Sequence, residues 1–362
     1  MRCPAGKLRT QCHQLEISLA KSAWKDCNDA TSHRIRPFCI SLLDRAVHFT
    51  VIVCTYNRSQ NLPSCLAALA AQEGVEGLDW EVLVVDNNSS DDTPQMVARL
   101  SRDLPIKVRY VKEPQQGLNH ARNCGVSASQ GAHFTFVDDD IHVSPRWLAM
   151  LSEAFARTDA DAIGGRIHLD PSIKLPRWVV PGSEIAGFLG YQDFGEEPFQ
   201  MDGRSRYPFG GNMSFHRRVV ARIGLFDPKL GRKGEGRKRG ELFKGAETDY
   251  FHRLVAAGEA RIFYEPRAIV YHRVQPHQLQ QRYFLTIHFN AGFQKALYDG
   301  RSYSRRALGV PLFLYPQLTR ALGKYLILLA TRGPDTAFRQ LMTVGHFLGT
   351  MAGYRRAGRE TA

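Results

Sequence analysis

Apolar runs that each break into a polar loop are the feature that most restricts what this chain can fold into. Three of them, at 49–54, 80–85 and 132–137, have the β-branched and aromatic content of buried strands. After the first loop, leucines recur at helical spacing. Apolar strands that alternate with helices predict an α/β fold, with a mainly parallel Rossmann-like sheet flanked by helices and one ligand crevice at its carboxyl edge.

The third apolar run ends in three consecutive carboxylates, Asp138, Asp139 and Asp140. Packed together in a crevice, such charges repel one another, and a divalent cation relieves the repulsion directly. Carboxylate oxygens suit Mg²⁺ or Mn²⁺. An isolated acidic run is more simply a solvated turn, so the metal hypothesis depends on what the neighbouring loops contain.

The other two loops carry polar residues to the same edge of the predicted sheet. Thr55, Tyr56 and Asn57 follow the first strand, and Asp86 opens the loop after the second. The first loop has neither the glycine motif of a dinucleotide-binding fold nor a P-loop. A phosphorylated ligand would therefore have to be held by a metal and by basic side chains.

Six short motifs follow one another along the chain. They are TYNR at 55–58, VVDNNSSDDT at 84–93, GLNHARNCG at 117–125, FVDDD at 136–140, GGNMSF at 210–215 and AETD at 246–249. In this order they resemble the motifs of the family 2 glycosyltransferases. The resemblance covers residues 48–300 and implies the GT-A fold, an inverting mechanism, a divalent metal and a nucleotide-diphosphate sugar as donor.

The resemblance implies roles for the first two loops and the helix that follows. Thr55, Tyr56 and Asn57 would form the floor of the nucleotide pocket, and Asp86 would accept a hydrogen bond from the base. Arg122 would lie near the nucleotide and the acidic run. Taken alone, Asp86 is more simply a turn former and Arg122 a surface charge.

The acidic run would then bind both donor and metal. Asp138 would reach the ribose, Asp139 would contact the nucleotide sugar, and Asp138 and Asp140 would ligate the metal. His272 ends a later short apolar run and resembles a downstream metal or diphosphate ligand, since imidazole is acceptable to Mn²⁺ beside carboxylates. A lone histidine is as readily structural.

Glu247 is the predicted catalytic base. An inverting transfer needs a carboxylate that takes the proton of the acceptor hydroxyl as this oxygen attacks the anomeric carbon. The family carries an acidic pair at this point, whereas Ala246 stands here in place of the first acid. Asp249 is the alternative base. Acids at a helix start also favour the helix dipole without any catalytic role.

The segment from 176 to 215 is rich in aromatic residues, glycine and proline and is predicted to face the acceptor. Trp178 is the predicted stacking contact for a sugar ring, although such residues are more often core. Gly211 and Asn212 suit a close backbone approach to a ligand. The basic, glycine-rich stretch 229–244 predicts a mobile loop that closes over a diphosphate.

Charge divides the chain into three parts. Residues 1–46 carry eight basic and four acidic residues, residues 47–300 carry thirty and twenty-nine, and residues 301–362 carry ten and two. The central part holds every motif above and is predicted to be the catalytic domain. Because it is nearly neutral, it lacks the basic stripe of a nucleic-acid-binding fold, and we expect no nucleic acid as partner.

The two ends lead to different predictions. Residues 1–46 hold four of the seven cysteines but match no zinc module and contain no apolar signal segment, which predicts a disordered extension of a cytosolic protein. Residues 301–362 contain leucine-rich stretches interrupted by Arg320 and Lys324. These predict basic amphipathic helices, peripheral at the inner face of the cell membrane, with packing on the domain or a dimer interface as the alternative.

Together with the acidic run, the resemblance therefore implies a metal-dependent inverting glycosyltransferase that uses Mn²⁺ or Mg²⁺. It would move a sugar from a nucleotide-diphosphate donor to a glycan or lipid-linked acceptor, in bacterial polysaccharide and cell-envelope synthesis. One alternative is a nucleotidyltransferase, which needs a basic triphosphate loop where residues 55–62 offer only Arg58. Another is a catalytically inactive sugar- or nucleotide-binding scaffold, which Ala246 makes conceivable.

Overall fold

The computed structural model describes residues 49–180, 182–235, 238–299, 301 and 303–360, without the side chains of 358–360. The chain divides into two units, Met1–Ala46 and Val47–Ala362. All described residues belong to the second unit. The predicted amino-terminal extension, residues 1–46, lies outside the described residues.

The second unit is built from strands and helices that alternate in its first part. The strands are β1 (Phe49–Thr55), β2 (Trp80–Asp86), β3 (Val108–Lys112), β4 (His133–Asp138), β5 (Ile141–Val143), β6 (Ala162–Leu169), β7 (Phe199–Met201), β8 (Met213–His216), β9 (Ile262–His272), β10 (Arg306–Ala307) and β11 (Val310–Pro311). The α-helices are α1 (Leu62–Ala70), α2 (Thr93–Asp103), α3 (Leu118–Ala128), α4 (Trp147–Thr158), α5 (Glu184–Gly187), α6 (Arg218–Ile223), α7 (Ala246–Ala256), α8 (Gln281–Leu297) and α9 (Leu314–Glu360). Short 3₁₀ turns lie at Ser59–Asn61, Arg239–Glu241 and Pro276–Leu279.

The first four strands form a parallel sheet in the order β3-β2-β1-β4. Their registers align the carboxyl ends, because Thr55 stands opposite Asp86 and Cys54 opposite Asp138. The side chains of β1, β2 and β4 are almost all buried, as both-face burial of a parallel sheet requires. The predicted strands are thus confirmed, and their polar loops meet at one edge.

Past β4 the sheet continues in the order β8-β6-β9-β5, with β7 paired to β9. Here β8 is antiparallel to both of its neighbours, whereas β6 and β9 are parallel. The sheet is therefore mixed in its second half. Between β6 and β8 the chain makes a long, mostly irregular excursion through residues 170–212, in which Gln192 forms a bridge with Ile167 of β6.

The tail packs on the domain as a helical hairpin. α9 is interrupted at Gly333, where φ is 79°. Its second part lies against α8 with backbone in contact with backbone: a Cβ on Gly349 would overlap with the carbonyl oxygen of Phe289, and one on Gly292 with that of His346. Glycines at this seam let the two helices approach more closely than side chains would allow.

A hydrophobic cluster joins the tail to the irregular excursion. Trp178 packs edge-on against Phe284 of α8 and Phe338 of α9, with ring centroids 4.9 Å apart in each pair. Both phenylalanines are buried. The structure therefore corrects the prediction for Trp178, whose indole fills a core between three distant segments.

The first part of α9, residues 314–332, is exposed along much of its length. Leu322, Leu326 and Ile327 are 40%, 59% and 64% exposed, whereas Ala321 is buried and its carbonyl oxygen accepts a hydrogen bond from Gln340 in the second part of the helix. Nowhere in the described residues does a helix combine the length and apolar content needed to cross a bilayer.

Candidate active site

A cavity of about 780 Å³ opens at the carboxyl edge of the sheet, where β1, β4 and β9 end. Its size suits a ligand as large as a nucleotide. Most of the predicted site residues line it: Thr55, Tyr56, Arg122, Asp138, Asp139, Asp140, Gly211, Glu247 and His272. Side chains that are distant in sequence thus converge on one cavity.

Arg58 bridges two of the three consecutive carboxylates. Its Nη1 lies 3.2 Å from Asp139 Oδ1 and 3.2 Å from Asp140 Oδ2. The hydroxyl of Thr55 donates to the other oxygen of Asp139 at 2.7 Å. Asp139 is therefore engaged by the first loop on both of its oxygens, and its predicted contact with the nucleotide sugar would compete with these bonds.

Burial and mutual repulsion separate the three carboxyl groups. Burial raises the pKa of Asp138, and the charge of Asp140 adds to this effect. Burial also raises the pKa of Asp139 to about 6, against the charge of Arg58. The pKa of Asp140 is lowered although burial opposes ionisation, because His272 and Arg58 favour its charged form. Asp140 is thus the strongest acid of the run.

The acidic run and His272 offer ligands that fit a hard divalent cation. His272 Nε2 lies 3.4 Å from Asp140 Oδ1, and its Nδ1 faces the carbonyl oxygen of Leu189 at 2.6 Å. In the part of the chain that is described, no three His, Cys, Asp or Glu side chains converge as a metal cluster, and the metal role of Asp138 stays a prediction. Two protein ligands suit Mg²⁺ or Mn²⁺ when phosphate oxygens and waters complete the shell.

Asp86 and Asn57 lie outside the cavity lining, although both were predicted in the nucleotide pocket. Asp86 is fully buried and accepts hydrogen bonds from the hydroxyl of Tyr110 and the backbone N–H of Ser89, both at 2.8 Å. Asn57 has a φ of 50°, and its Oδ1 accepts from the backbone N–H of Ser90. Both residues stabilise the loops that shape the wall, while Thr55 and Tyr56 face the cavity.

Glu247 lies in the first turn of α7 and is held by Arg122. Arg122 Nη2 donates to Glu247 Oε1 at 2.9 Å, and the arginine is only 2% exposed. Burial raises the pKa of Glu247, but Arg122 outweighs it, so that the pKa is lowered. A Cβ on Gly210 would overlap with both side chains, which explains the glycine at this position. Glu247 is therefore an ionised carboxylate in the cavity.

The alternative base, Asp249, does not line the cavity. Its carboxylate pairs with Arg253 at 2.9 Å, one turn further along α7. The residue between the two acids, Thr248, does line the cavity and shares a hydrogen bond with the hydroxyl of Tyr207 at 2.7 Å. Only Glu247 of the two acids is positioned to meet a substrate.

Gly211 lines the cavity, whereas Asn212 is buried beneath it. The amide nitrogen of Asn212 donates to the carbonyl oxygen of Ala268 at 2.9 Å, and its oxygen accepts from the indole N–H of Trp147 at 2.9 Å. The nitrogen and the oxygen of this side-chain amide thus both form hydrogen bonds inside the fold. Asn212 fixes the turn before β8 and does not face an acceptor as predicted.

Several residues that line the cavity were not predicted as site residues from the sequence. They are Arg58, Tyr191, Asp193, Arg232 and Lys244. Arg58 closes the TYNR motif, and Arg232 and Lys244 belong to the basic stretch, so a signal existed for these three. Tyr191 and Asp193 flank the bridge to β6, and only the fold reveals that pairing.

The chain is similar to a known protein family and to several named proteins. Residues 50–224 match the family model described as glycosyl transferase family 2. The succinoglycan biosynthesis protein ExoM of Rhizobium meliloti (strain 1021) is 29% identical over 253 residues, which cover 69% of this chain and 74% of that protein. The glucosyl-dolichyl phosphate glucuronosyltransferase of Haloferax volcanii is 25% identical over 280 residues, which cover 76% and 81%.

Among solved structures, the mannosyltransferase PcManGT from Pyrobaculum calidifontis, in complex with GDP-Man and Mn²⁺, has the same fold. It aligns with a TM-score of 0.53 at 18% identity and covers 86% of this chain and 87% of its own. The predicted GT-A class is therefore confirmed, with a mixed sheet flanked by helices and a helical carboxyl-terminal segment.

Proposed function

The chain belongs to glycosyltransferase family 2 through residues 50–224, and we propose that it is an inverting enzyme of that family. It would transfer one sugar from a nucleotide-diphosphate donor to a glycan or lipid-linked acceptor. The observation that carries this proposal is the ionised Glu247, which shares one cavity with Asp138 and Asp140 and is held there by Arg122.

Glu247 would act as the base. Its carboxylate would take the proton of the acceptor hydroxyl while that oxygen forms a bond to the anomeric carbon. The bond from the anomeric carbon to the diphosphate would break on the opposite face, which inverts the configuration. Arg122 would position the carboxylate, and its charge would keep Glu247 ionised before the proton arrives.

Asp140 and His272 would hold the Mn²⁺ or Mg²⁺ ion, with Asp138 on the ribose side of the cavity. A divalent ion at this point supplies positive charge to the departing diphosphate. The donor set supports this choice, because one ionised carboxylate and one imidazole are acceptable ligands for Mn²⁺. Arg58, which now bridges Asp139 and Asp140, would keep its bond to Asp139.

The relatives named as a succinoglycan biosynthesis protein and as a glucosyl-dolichyl phosphate glucuronosyltransferase support a setting in polysaccharide or cell-envelope synthesis. The exposed stripe of Leu322, Leu326 and Ile327 on α9, beside Arg320 and Lys324, supports attachment at the inner face of the cell membrane. The protein would be peripheral there.

We further propose that residues 47–300 form the catalytic domain and that residues 1–46 contribute nothing to turnover. A chain that begins at Val47 should then fold and transfer sugar at the full rate, since no motif lies before this residue. Aggregation of the shortened chain, or a loss of turnover, would assign the extension to the domain.

The test of the function is a screen of UDP- and GDP-sugars with Mn²⁺ for thermal stabilisation, followed by transfer assays with the donor that stabilises the native state. We expect release of nucleoside diphosphate together with a product whose new glycosidic bond has the anomeric configuration opposite to that of the donor. Retention of configuration, read by NMR, would refute the inverting mechanism. Donor binding without release of nucleotide would indicate a scaffold.

A further inference from the structure

Lys244 is a cation of the cavity wall that pairs with no carboxylate among the described residues. Its Nζ lies 3.5 Å from the carbonyl oxygen of Phe188 and 5.2 Å from the centroid of that ring. By contrast, Arg58 and Arg122 in the same cavity are each paired with acids. A partly buried ammonium without a counter-ion is costly, and the fold nevertheless holds it in place.

The electrostatic surroundings of Lys244 favour an incoming anion. Burial and the charge of Arg232 lower the pKa of Lys244 to about 7, and Glu247 opposes them. Arg232 also lines the cavity, where its guanidinium donates to the hydroxyl of Tyr283 at 3.0 Å. Lys244 and Arg232 therefore add positive charge to the cavity without a salt bridge to a described carboxylate, although the charge of Glu247 acts on Lys244 and the charge of Arg232 acts on Asp138 and Asp140.

Helix α8 fixes the backbone that presents Lys244. The amide of Gln294 both accepts from the N–H of Lys244 and donates to its carbonyl oxygen, each at 3.4 Å. One turn earlier, Asn290 donates to the carbonyl oxygens of Arg239 and Leu242 at 2.6 and 3.1 Å. The end of the basic stretch, residues 239–244, is thus held against α8 by hydrogen bonds, whereas the sequence predicted a mobile loop over 229–244.

Gly245 turns the chain between Lys244 and Glu247. Its φ is 105°, and a Cβ there would meet no atom within 4 Å. The glycine is needed for its backbone conformation and not for space. This turn allows the lysine and the candidate base, three residues apart, to line the same cavity.

We propose that Lys244, together with Arg232, binds the diphosphate of the donor. The proposal rests on the proposed function, because it takes the ligand to be a nucleotide-diphosphate sugar. As the bond to the anomeric carbon breaks, negative charge builds on the leaving diphosphate, and a fixed ammonium stabilises it. Lys244 moves no proton in this step, since Glu247 takes the proton of the acceptor.

The experiment compares Lys244→Met and Lys244→Arg with the unaltered protein and with Lys229→Met. Lys229 is an exposed lysine at the start of the same stretch and lies outside the cavity lining. Affinities for UDP, GDP, UMP and GMP are measured by calorimetry with Mn²⁺ present. Melting temperatures without nucleotide control for folding, and Lys244→Gln serves as a second neutral variant.

Lys244→Met should bind the preferred nucleoside diphosphate about tenfold or more weakly, as expected for a lost hydrogen bond to a charged group. Its affinity for the monophosphate should change less than about twofold, within the error of independent sites. Lys244→Arg and Lys229→Met should bind both nucleotides as the unaltered protein does. The melting temperature of Lys244→Met should be equal or higher, because an uncompensated buried charge is removed.

Unchanged diphosphate affinity in Lys244→Met would overturn the inference. Equal losses for mono- and diphosphate, or a lowered melting temperature in both neutral variants, would assign it a structural role instead. If the unaltered protein bound neither UDP nor GDP, the proposed function itself would fail together with this inference.

Discussion

Glu247 Oε1 lies 2.9 Å from Arg122 Nη2, although 125 positions separate the two residues in sequence. The guanidinium of Arg122 also lies over the rings of Phe136 and Phe226, 5.7 and 5.5 Å from their centroids. A buried guanidinium enclosed by aromatic rings depends on the carboxylate that pairs with it, here Glu247. Neutralising Glu247 should therefore affect both turnover and stability.

Glu247→Gln should lower kcat on the order of 10²-fold or more with little change in donor affinity, because the amide cannot take the acceptor proton. It should also destabilise the fold by roughly 1–3 kcal/mol, since Arg122 loses a charge-assisted bond. Steady-state kinetics, calorimetry and thermal unfolding measure the three effects.

The matched control is Asp249→Asn. It removes an acid two positions away whose partner is Arg253, a surface pair worth about 0.3–0.5 kcal/mol. Turnover should stay within about threefold of the unaltered enzyme, since no transition-state contact is removed. A large loss of kcat in this variant, with little loss in Glu247→Gln, would exchange the two roles.

Asp140→Asn should abolish the part of donor binding that depends on Mn²⁺. The asparagine retains an oxygen but has no charge to bind the cation or to pair with Arg58 and His272. Electron paramagnetic resonance of free Mn²⁺, titrated with protein and UDP or GDP, reports this without any turnover. Asp202→Asn, on an exposed loop, is the control. Full Mn²⁺ retention by Asp140→Asn would remove this residue from the metal site.

Gly349→Ala should destabilise the protein strongly, because its Cβ would overlap with the carbonyl oxygen of Phe289. Backbone atoms on a packed helix cannot move aside as a flexible side chain can, so we expect a loss of about 1–3 kcal/mol. Gly323→Ala lies in the exposed part of the same helix, where a Cβ meets nothing within 4 Å, and should be neutral or stabilising by up to about 1 kcal/mol. Equal melting temperatures of the two variants would contradict the tight seam.

His133 should make the fold sensitive to acid. Burial lowers its pKa to about 3, and His216 and Arg218 add to this against Asp159. Between pH 6.5 and 3 the unfolded chain binds a proton that the folded chain does not, so this contribution to stability falls as the pH falls. His133→Phe keeps the ring against Phe49 and should flatten the dependence of the melting temperature on pH across that window. An equally steep profile would show that other groups control it.

Leu326→Ser combined with Ile327→Ser should reduce flotation with anionic vesicles while leaving the melting temperature unchanged, since both side chains are exposed. High salt should weaken attachment of the unaltered protein without abolishing it, because apolar insertion is not screened. Leu225→Ser, which removes an exposed leucine outside the tail, should float as the unaltered protein does. Unchanged flotation of the double variant would leave the tail as a packing element only.

The local sequence pattern was sufficient to predict the site residues that lie at the aligned ends of the parallel strands. Thr55 and Asp138 are each the last residue of a buried parallel strand, and such strands bring their ends to one edge whatever the rest of the chain does. The motif order then added Glu247, which indeed shares the cavity with them. Fold class was predictable for the same reason, since it depends on alternation and burial.

Pairings across long sequence separations could not be predicted. Trp178 is a residue type that often stacks on sugar rings. Here Phe284 and Phe338, from segments more than a hundred residues away, pack against its indole instead. Asn212 stands next to a cavity glycine, yet its side chain points to Ala268 and Trp147. In both cases the side chain suits either role, and only the tertiary partners decide between them.

Helix α8 contacts the cavity wall on one face and the tail on the opposite face. Asn290 and Gln294, one turn apart, hold the backbone that presents Lys244, and Gly292, between them in sequence, lies on the opposite side against the tail. Shortening the chain before α9 would therefore expose the rear of a helix whose front supports the cavity wall. Loss of activity in the shortened enzyme would then not show that catalysis needs a lipid surface. The same deletion also removes the packing contacts that support the wall of the active site.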